Sequence, residues 1–76
     1  MCYQNNFAER LFLCRKSASL SQKALANILG ISDAAITMME KGKRSPSFEM
    51  LLALADYFDV SLDFLVGRTD NPEINK

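Results

Sequence analysis

The chain has 76 residues, 49% of them apolar, which is enough for one hydrophobic core and no second one; a large catalytic cleft is therefore not expected. Nine basic and nine acidic side chains cancel, which excludes a uniformly basic surface, yet residues 1–44 hold seven of the basic groups against three acidic ones, and residues 45–76 hold two against six. With no histidine and no paired spacing around Cys2 and Cys14, a zinc site is excluded, and no cofactor is expected.

Residues 1–6 form a polar segment without the basic start and apolar stretch of a secretion leader. Nowhere do about 18 apolar residues run together, so the chain reads as cytoplasmic with no membrane span. The domain itself is placed at residues 7–67. Phe7, Leu11 and Cys14 recur at helical spacing, with Ala8, Phe12 and Arg15 one step round, which predicts a first helix at about Asn6 to Ser17. On that stripe the Cys14 thiol acts as a small hydrophobe. Ser17, Ala18 and Ser19 break the helix, and Ser21 caps a second one, Gln22 to Leu29, by accepting a hydrogen bond from a free N–H of its first turn. Gly30 stops it, supplying a left-handed conformation.

Ile31 bridges the turn and Ser32 caps a third helix from Asp33 to about Lys41, with Asp33 at the positive end of the helix dipole and Gly42 as the stop. Lys43 to Pro46 make a basic loop. Ser47 caps a fourth helix through Phe58, with an inward stripe of Leu51, Leu54, Ala55 and Phe58 and with Phe48 at its start; Ser61 caps a short fifth helix through about Val66, and Gly67 closes the fold. Residues 68–76 read as a polar, poorly ordered tail containing Asn71 and Pro72. No strand-like alternation of useful length appears, so the expected class is all-α, five short helices joined by short connections.

The second and third helices meet the demands of a helix-turn-helix. The two must cross closely, which needs a small side chain at the contact, and Ala26 is there; Gly30 sits in the turn; Leu25, Leu29, Ile31, Ile36 and Met39 supply the apolar faces that meet behind the exposed surface. Singly each residue is ordinary core. Together they specify a capped two-turn helix, an alanine, a glycine four residues on and a second capped helix in the right phase.

The sequence resembles the phage-repressor-like helix-turn-helix regulators, the Xre or Cro type, over about Phe7 to Arg68. The landmarks are Phe7-Ala8-Glu9-Arg10-Leu11, Leu20-Ser21-Gln22, Leu25-Ala26, Leu29-Gly30-Ile31-Ser32, Ile36, Glu40-Lys41-Gly42-Lys43-Arg44 with Pro46-Ser47, and Val60-Ser61-Leu62-Asp63. The resemblance implies a five-helix, lambda-repressor-like domain, dimeric binding to double-stranded operator DNA and transcriptional repression. It implies that Gln22 contacts a DNA phosphate and braces the recognition helix, and that Arg15 and Glu40 form a structural pair between the first and third helices. It also turns Ser32, Asp33, Ala34, Thr37 and Met38 toward the major groove.

That face lacks Arg, Gln and Asn, the best bidentate readers of guanine and adenine. Asp33 can accept from a cytosine amino group, Thr37 can bond a base or a phosphate, and Ala34 and Met38 can touch a thymine methyl. Phosphate contacts are better supplied, by Gln22, Lys23, Lys41, Lys43 and Arg44 with Ser45 in the loop, although each cation serves equally as a solvated charge. The expectation is binding that leans on backbone contacts and DNA shape and falls steeply with salt.

A homodimer is expected because one small module buries little DNA surface; its interface is placed at Leu62, Leu65 and Val66, which serve equally well as core. Phe12, Leu13 and Ile28 stand where the family usually has polar side chains, so they are expected near the surface, and if they cluster, Phe12 and Leu13 offer a contact for a protein partner. The rival function is thus a protein-interaction module of antitoxin or anti-repressor kind with weak DNA binding. An enzyme is not expected: there is no histidine, no paired carboxylate or cysteine constellation, no glycine-rich phosphate loop and no nucleophile beside a base.

Overall fold

The computed structural model describes residues 3–68, and these form five helices and no strand: α1 (Tyr3–Ser17), α2 (Gln22–Leu29), α3 (Asp33–Glu40), α4 (Phe48–Phe58) and α5 (Leu62–Leu65). Cys2 and the tail beyond Arg68 lie outside the described residues. No described helix is long and apolar enough to cross a membrane.

Each helix from α2 onward starts on its serine. The Oγ atoms of Ser21, Ser32, Ser47 and Ser61 accept from the backbone N–H of Ala24, Ala35, Met50 and Phe64 at 3.0–3.2 Å. Every one of these hydroxyls satisfies a first-turn donor that has no partner inside its helix. Gly30 ends α2 at φ 73°, ψ 29°, its N–H reaching the carbonyls of Ala26 and Asn27. Asp59 ends α4 in the same left-handed region, at φ 56°, a stop that the sequence reading did not assign to it.

α1 starts at Tyr3, three residues before the expected Asn6. The apolar period that locates the helix begins only at Phe7, whereas elongation of an existing helix adds one hydrogen bond per residue fixed and needs no apolar side chain. α3 ends at Glu40, one residue short of the expectation, with Lys41 as its C-terminal cap.

The core is a single cluster of Phe7, Leu11, Leu25, Ala26, Ile36, Met39, Leu54, Ala55 and Leu65, with Leu20, Leu29, Ile31, Met50, Leu51, Phe58 and Leu62 packed against it. All five helices contribute, so burying α1 and α5 holds the α2–α3 pair from behind. Phe48 is the exception to the expected inward stripe of α4: it is 67% exposed. At about 100° per residue its direction lies roughly 70° round the helix from the mean of Leu51, Leu54, Ala55 and Phe58, which turns it off the core at the open first turn.

Candidate nucleic-acid interface

α3 has two faces. Ala35, Ile36 and Met39 are buried, which anchors the helix; Asp33, Ala34 and Met38 are exposed on the opposite side, with Ser32 before them and Lys41 after, and Thr37 is half-buried at the edge. The face expected to meet DNA is therefore outside the core.

Behind it runs a hydrogen-bonded chain that joins three helices. Arg15 of α1 is the one buried charged residue among the described ones, at 7% exposure. Its guanidinium donates through Nε to Glu40 Oε2 at 2.6 Å, through Nη2 to Glu40 Oε1 at 3.1 Å and through Nη1 to the Leu20 carbonyl at 2.9 Å. Glu40 Oε1 also accepts from Gln22 Nε2 at 3.0 Å, and Gln22 Oε1 accepts from the Thr37 hydroxyl at 2.8 Å. No buried side-chain nitrogen or oxygen among the described residues lacks a partner. A bidentate guanidinium–carboxylate pair in low dielectric is geometrically strict, so α1 sets Glu40, Glu40 sets the Gln22 amide, and Gln22 sets Thr37.

The resemblance gave Arg15, Glu40 and Gln22 their bracing roles, and the three side chains are indeed brought together. The link from Gln22 to Thr37 was not foreseen. The two residues are 15 apart in the chain, and only the crossing of α2 over α3 makes them neighbours.

The cations lie around this face. Lys23, Lys41, Lys43 and Arg44 are exposed and make no ion pair among the described residues. A surface groove at the start of α2 is lined by Arg15, Lys16, Ser19, Leu20, Ser21, Gln22, Lys23 and Asp33. Lys16 and Ser19 line this groove but were not in the expected set; Ser19 belongs to the small polar break before Ser21, and Lys16 lies just ahead of it. Acidic residues instead concentrate on α4 and α5, as Glu49, Asp56 and Asp63, with Asp59 between the two helices.

Two expectations about the other surfaces need adjusting. Leu65 is fully buried, so it is core and has no surface to offer a second subunit; Leu62 and Val66 are half-buried. An α5 of four residues can turn only part of its apolar content outward, and Leu65 is its member of the central cluster, together with Leu54 and Leu11. Phe12, Leu13 and Ile28 are exposed as expected. Phe12 and Leu13 share a shallow concavity with Ala8, Glu9, Glu40 and Lys41, and Ile28 is not among its lining residues. Arg15 and Lys16 approach the Phe12 ring, at 5.4 and 5.9 Å from its centroid. Cys14 is half-buried beside Leu13, Phe58, Val60 and Phe64; burial pushes its thiol pKa up, and the nearby Arg10 charge opposes this.

A helix-turn-helix family model matches residues 11–65, which takes in four complete helices and the C-terminal part of α1. The chain belongs to the helix-turn-helix family. Among its relatives, an HTH-type transcriptional regulator of Bacillus subtilis, YqaE, is 38% identical over 90% of this chain and 59% of its own length. The cryptic phage CTXphi transcriptional repressor RstR of Vibrio cholerae is 37% identical over 79% of this chain and 54% of its own. Repressor protein C2 of Salmonella phage P22 is 36% identical over 76% of this chain and 27% of its own. The solved structure of a transcriptional regulator of this helix-turn-helix family from Vibrio cholerae superposes with a TM-score of 0.73 at 29% identity, covering 87% of this chain and 37% of that one. The chain thus spans about three-fifths of the first of these helix-turn-helix relatives, or less of the others.

Proposed function

We propose that this helix-turn-helix chain is a DNA-binding transcriptional regulator acting as a repressor, seating α3 in the major groove of an operator and thereby blocking access to it. The observation that carries the reading is the exposed outer face of α3, braced from behind by the Arg15–Glu40–Gln22–Thr37 chain and flanked by unpaired cations. In this reading Gln22, Lys23, Lys41, Lys43 and Arg44 hold the phosphate backbone and fix the register, while Ser32, Asp33, Ala34, Thr37 and Met38 lie along the base edges. The names of the relatives, which include two phage repressors, support the same function. Binding to bacterial or phage DNA implies a cytoplasmic location.

The chain is proposed to act as a homodimer, since two half-sites double the buried DNA surface. Leu62 and Val66 are the parts of α5 left to form its interface, and sedimentation of a Leu62→Glu variant tests them: a variant with the wild-type mass removes the assignment. The function itself is tested by a gel shift with random-sequence duplex at low salt, followed by selection of the bound sequences. Enrichment of a two-fold symmetric site is the expected result, and no retardation even at low salt would overturn the reading.

A second reading keeps a protein partner on α1, favoured by the adjacent exposure of Phe12 and Leu13 over one concavity. Replacing both with Ser discriminates: unchanged DNA binding together with loss of a regulatory effect in cells supports it, and no effect on either eliminates it.

A further inference from the structure

We propose that Thr37 meets DNA only as a hydrogen-bond acceptor, its polarity set from behind by Gln22, and that α3 therefore favours base pairs oriented with their amino-bearing base, cytosine or adenine, on the strand that Thr37 faces. The proposal rests on the DNA-binding reading above and specifies the chemistry of the site it recognises.

A threonine hydroxyl has one proton and two lone pairs. The Thr37 oxygen lies 2.8 Å from Gln22 Oε1 and 3.1 Å from the Asp33 carbonyl oxygen, and both neighbours are acceptors. The proton is therefore committed inward whichever of the two it takes. For Gln22 to offer a donor instead, its amide would have to turn over, placing Oε1 at 3.0 Å from a Glu40 carboxylate oxygen that Arg15 already holds in place. Two oxygens facing each other without a proton repel, so the amide stays as it is. Polarity thus passes from a buried guanidinium to the half-buried Thr37 hydroxyl through Glu40 and Gln22.

The consequence concerns the whole reading face. From Asp33 to Met38, Asp33 is an acceptor, Ala34 and Met38 are apolar, and Thr37 has spent its donor; the Ser32 hydroxyl stands before the helix as its cap. Phosphate oxygens are acceptors too, so Thr37 is unsuited to bond the backbone. Guanine shows two acceptors in the major groove and thymine one beside its methyl, whereas cytosine and adenine each show an amino donor. Ser32 accepts from Ala35 and keeps its own proton to donate, but from Asp33 to Met38 acceptors and apolar groups suit cytosine or adenine opposite Thr37 and Asp33, with thymine methyls against Ala34 and Met38. Guanine is disfavoured at the positions these residues reach.

Selection of bound sequences with wild type, Thr37→Val, Thr37→Ser and Gln22→Leu tests this. In the wild type, one base pair per half-site should favour one orientation, and N6-methyladenine or N4-methylcytosine at its amino-bearing base should weaken binding of the wild type but not of Thr37→Val. Thr37→Val, nearly isosteric, should flatten preference at that base pair alone and weaken the best site on the order of five-fold. Thr37→Ser keeps the hydroxyl and should keep the preference. Gln22→Leu leaves only the longer bond to Asp33 holding the proton, and should admit guanine or thymine at the same base pair. A wild type indifferent to methylation of that amino group, or a Thr37→Val variant with every positional preference unchanged, would overturn the proposal while leaving DNA binding intact. A Gln22→Leu variant that keeps the wild-type preference at that base pair, whatever affinity it loses with its phosphate contact, would overturn the polarity-setting role of Gln22. Failure of the wild type to bind any duplex would defeat the DNA-binding reading itself, and the proposal with it.

Discussion

Replacing Arg15 with Met removes a guanidinium that makes three hydrogen bonds, two to Glu40 and one to the Leu20 carbonyl, in a site where the paired side chains are 9% and 6% exposed. The carboxylate left behind is buried without its counter-charge, a situation that costs about 3–5 kcal/mol. Against the roughly 4–11 kcal/mol that a domain of 76 residues has in total, this is a large share. Glu40→Leu, which strands the guanidinium, should cost a similar amount. Removing both charges together should cost far less: two apolar side chains replace a pair whose desolvation offset much of its attraction, and only the Leu20 carbonyl and one Gln22 N–H lose a partner, at about 1 kcal/mol each. The double variant is thus expected within about 3 kcal/mol of wild type, while the single losses sum to about 6–10 kcal/mol. Urea unfolding of the four proteins, followed by far-ultraviolet circular dichroism, completes the cycle. A coupling energy below about 1 kcal/mol would show that the pair acts as an ordinary exposed ion pair, and the reasoning from burial would fail.

Other changes test separate parts of the structure. Gly30→Ala should cost about 1 kcal/mol, and Gly30→Asn less, in the same unfolding assay; a Cβ at Gly30 would meet nothing within 4 Å, so the whole penalty comes from holding φ at +73°. A neutral Gly30→Ala would contradict this. In DNA binding, Lys43→Ala and Arg44→Ala should each reduce the slope of log affinity against log salt by about 1, and slopes equal to wild type would show that these cations are solvated. Alkylation of Cys14 in a Cys2→Ser background should be slower at mildly alkaline pH than after unfolding in urea, because burial raises the thiol pKa and lowers the thiolate fraction at any given pH. A folded rate at or above the unfolded one would refute that.

The parts of this fold legible in the sequence are those whose cause is local. Ser21, Ser32, Ser47 and Ser61 each stand three residues from the N–H they satisfy, and Gly30 sits at the conformation only glycine adopts freely, so four helix starts and one stop could be read directly. Asp59 escaped notice because an aspartate in the left-handed region leaves no glycine to mark the stop. Phe48 and Leu65 were misplaced for a different reason. A chain this rich in apolar residues has more of them than its core can hold, and periodicity alone does not say which one is left outside or drawn in. In the candidate interface, the cations were read from sequence order, whereas the row on α3 was reached through resemblance. The Arg15–Glu40 pair bridges 25 residues and was reached only through resemblance, and the Gln22–Thr37 bond depends on a crossing angle that no spacing encodes.

The two-sidedness of α3 also bears on how such a chain can change over time. Ser32, Ala35, Ile36 and Met39 hold the helix in place, and none of that work falls to Ala34 or Met38. Substitutions at those two positions leave cap and core untouched, so the scaffold and its address are separately editable. If α3 reads DNA as proposed, a lineage can redirect the chain to a new site by small steps without passing through an unfolded ancestor.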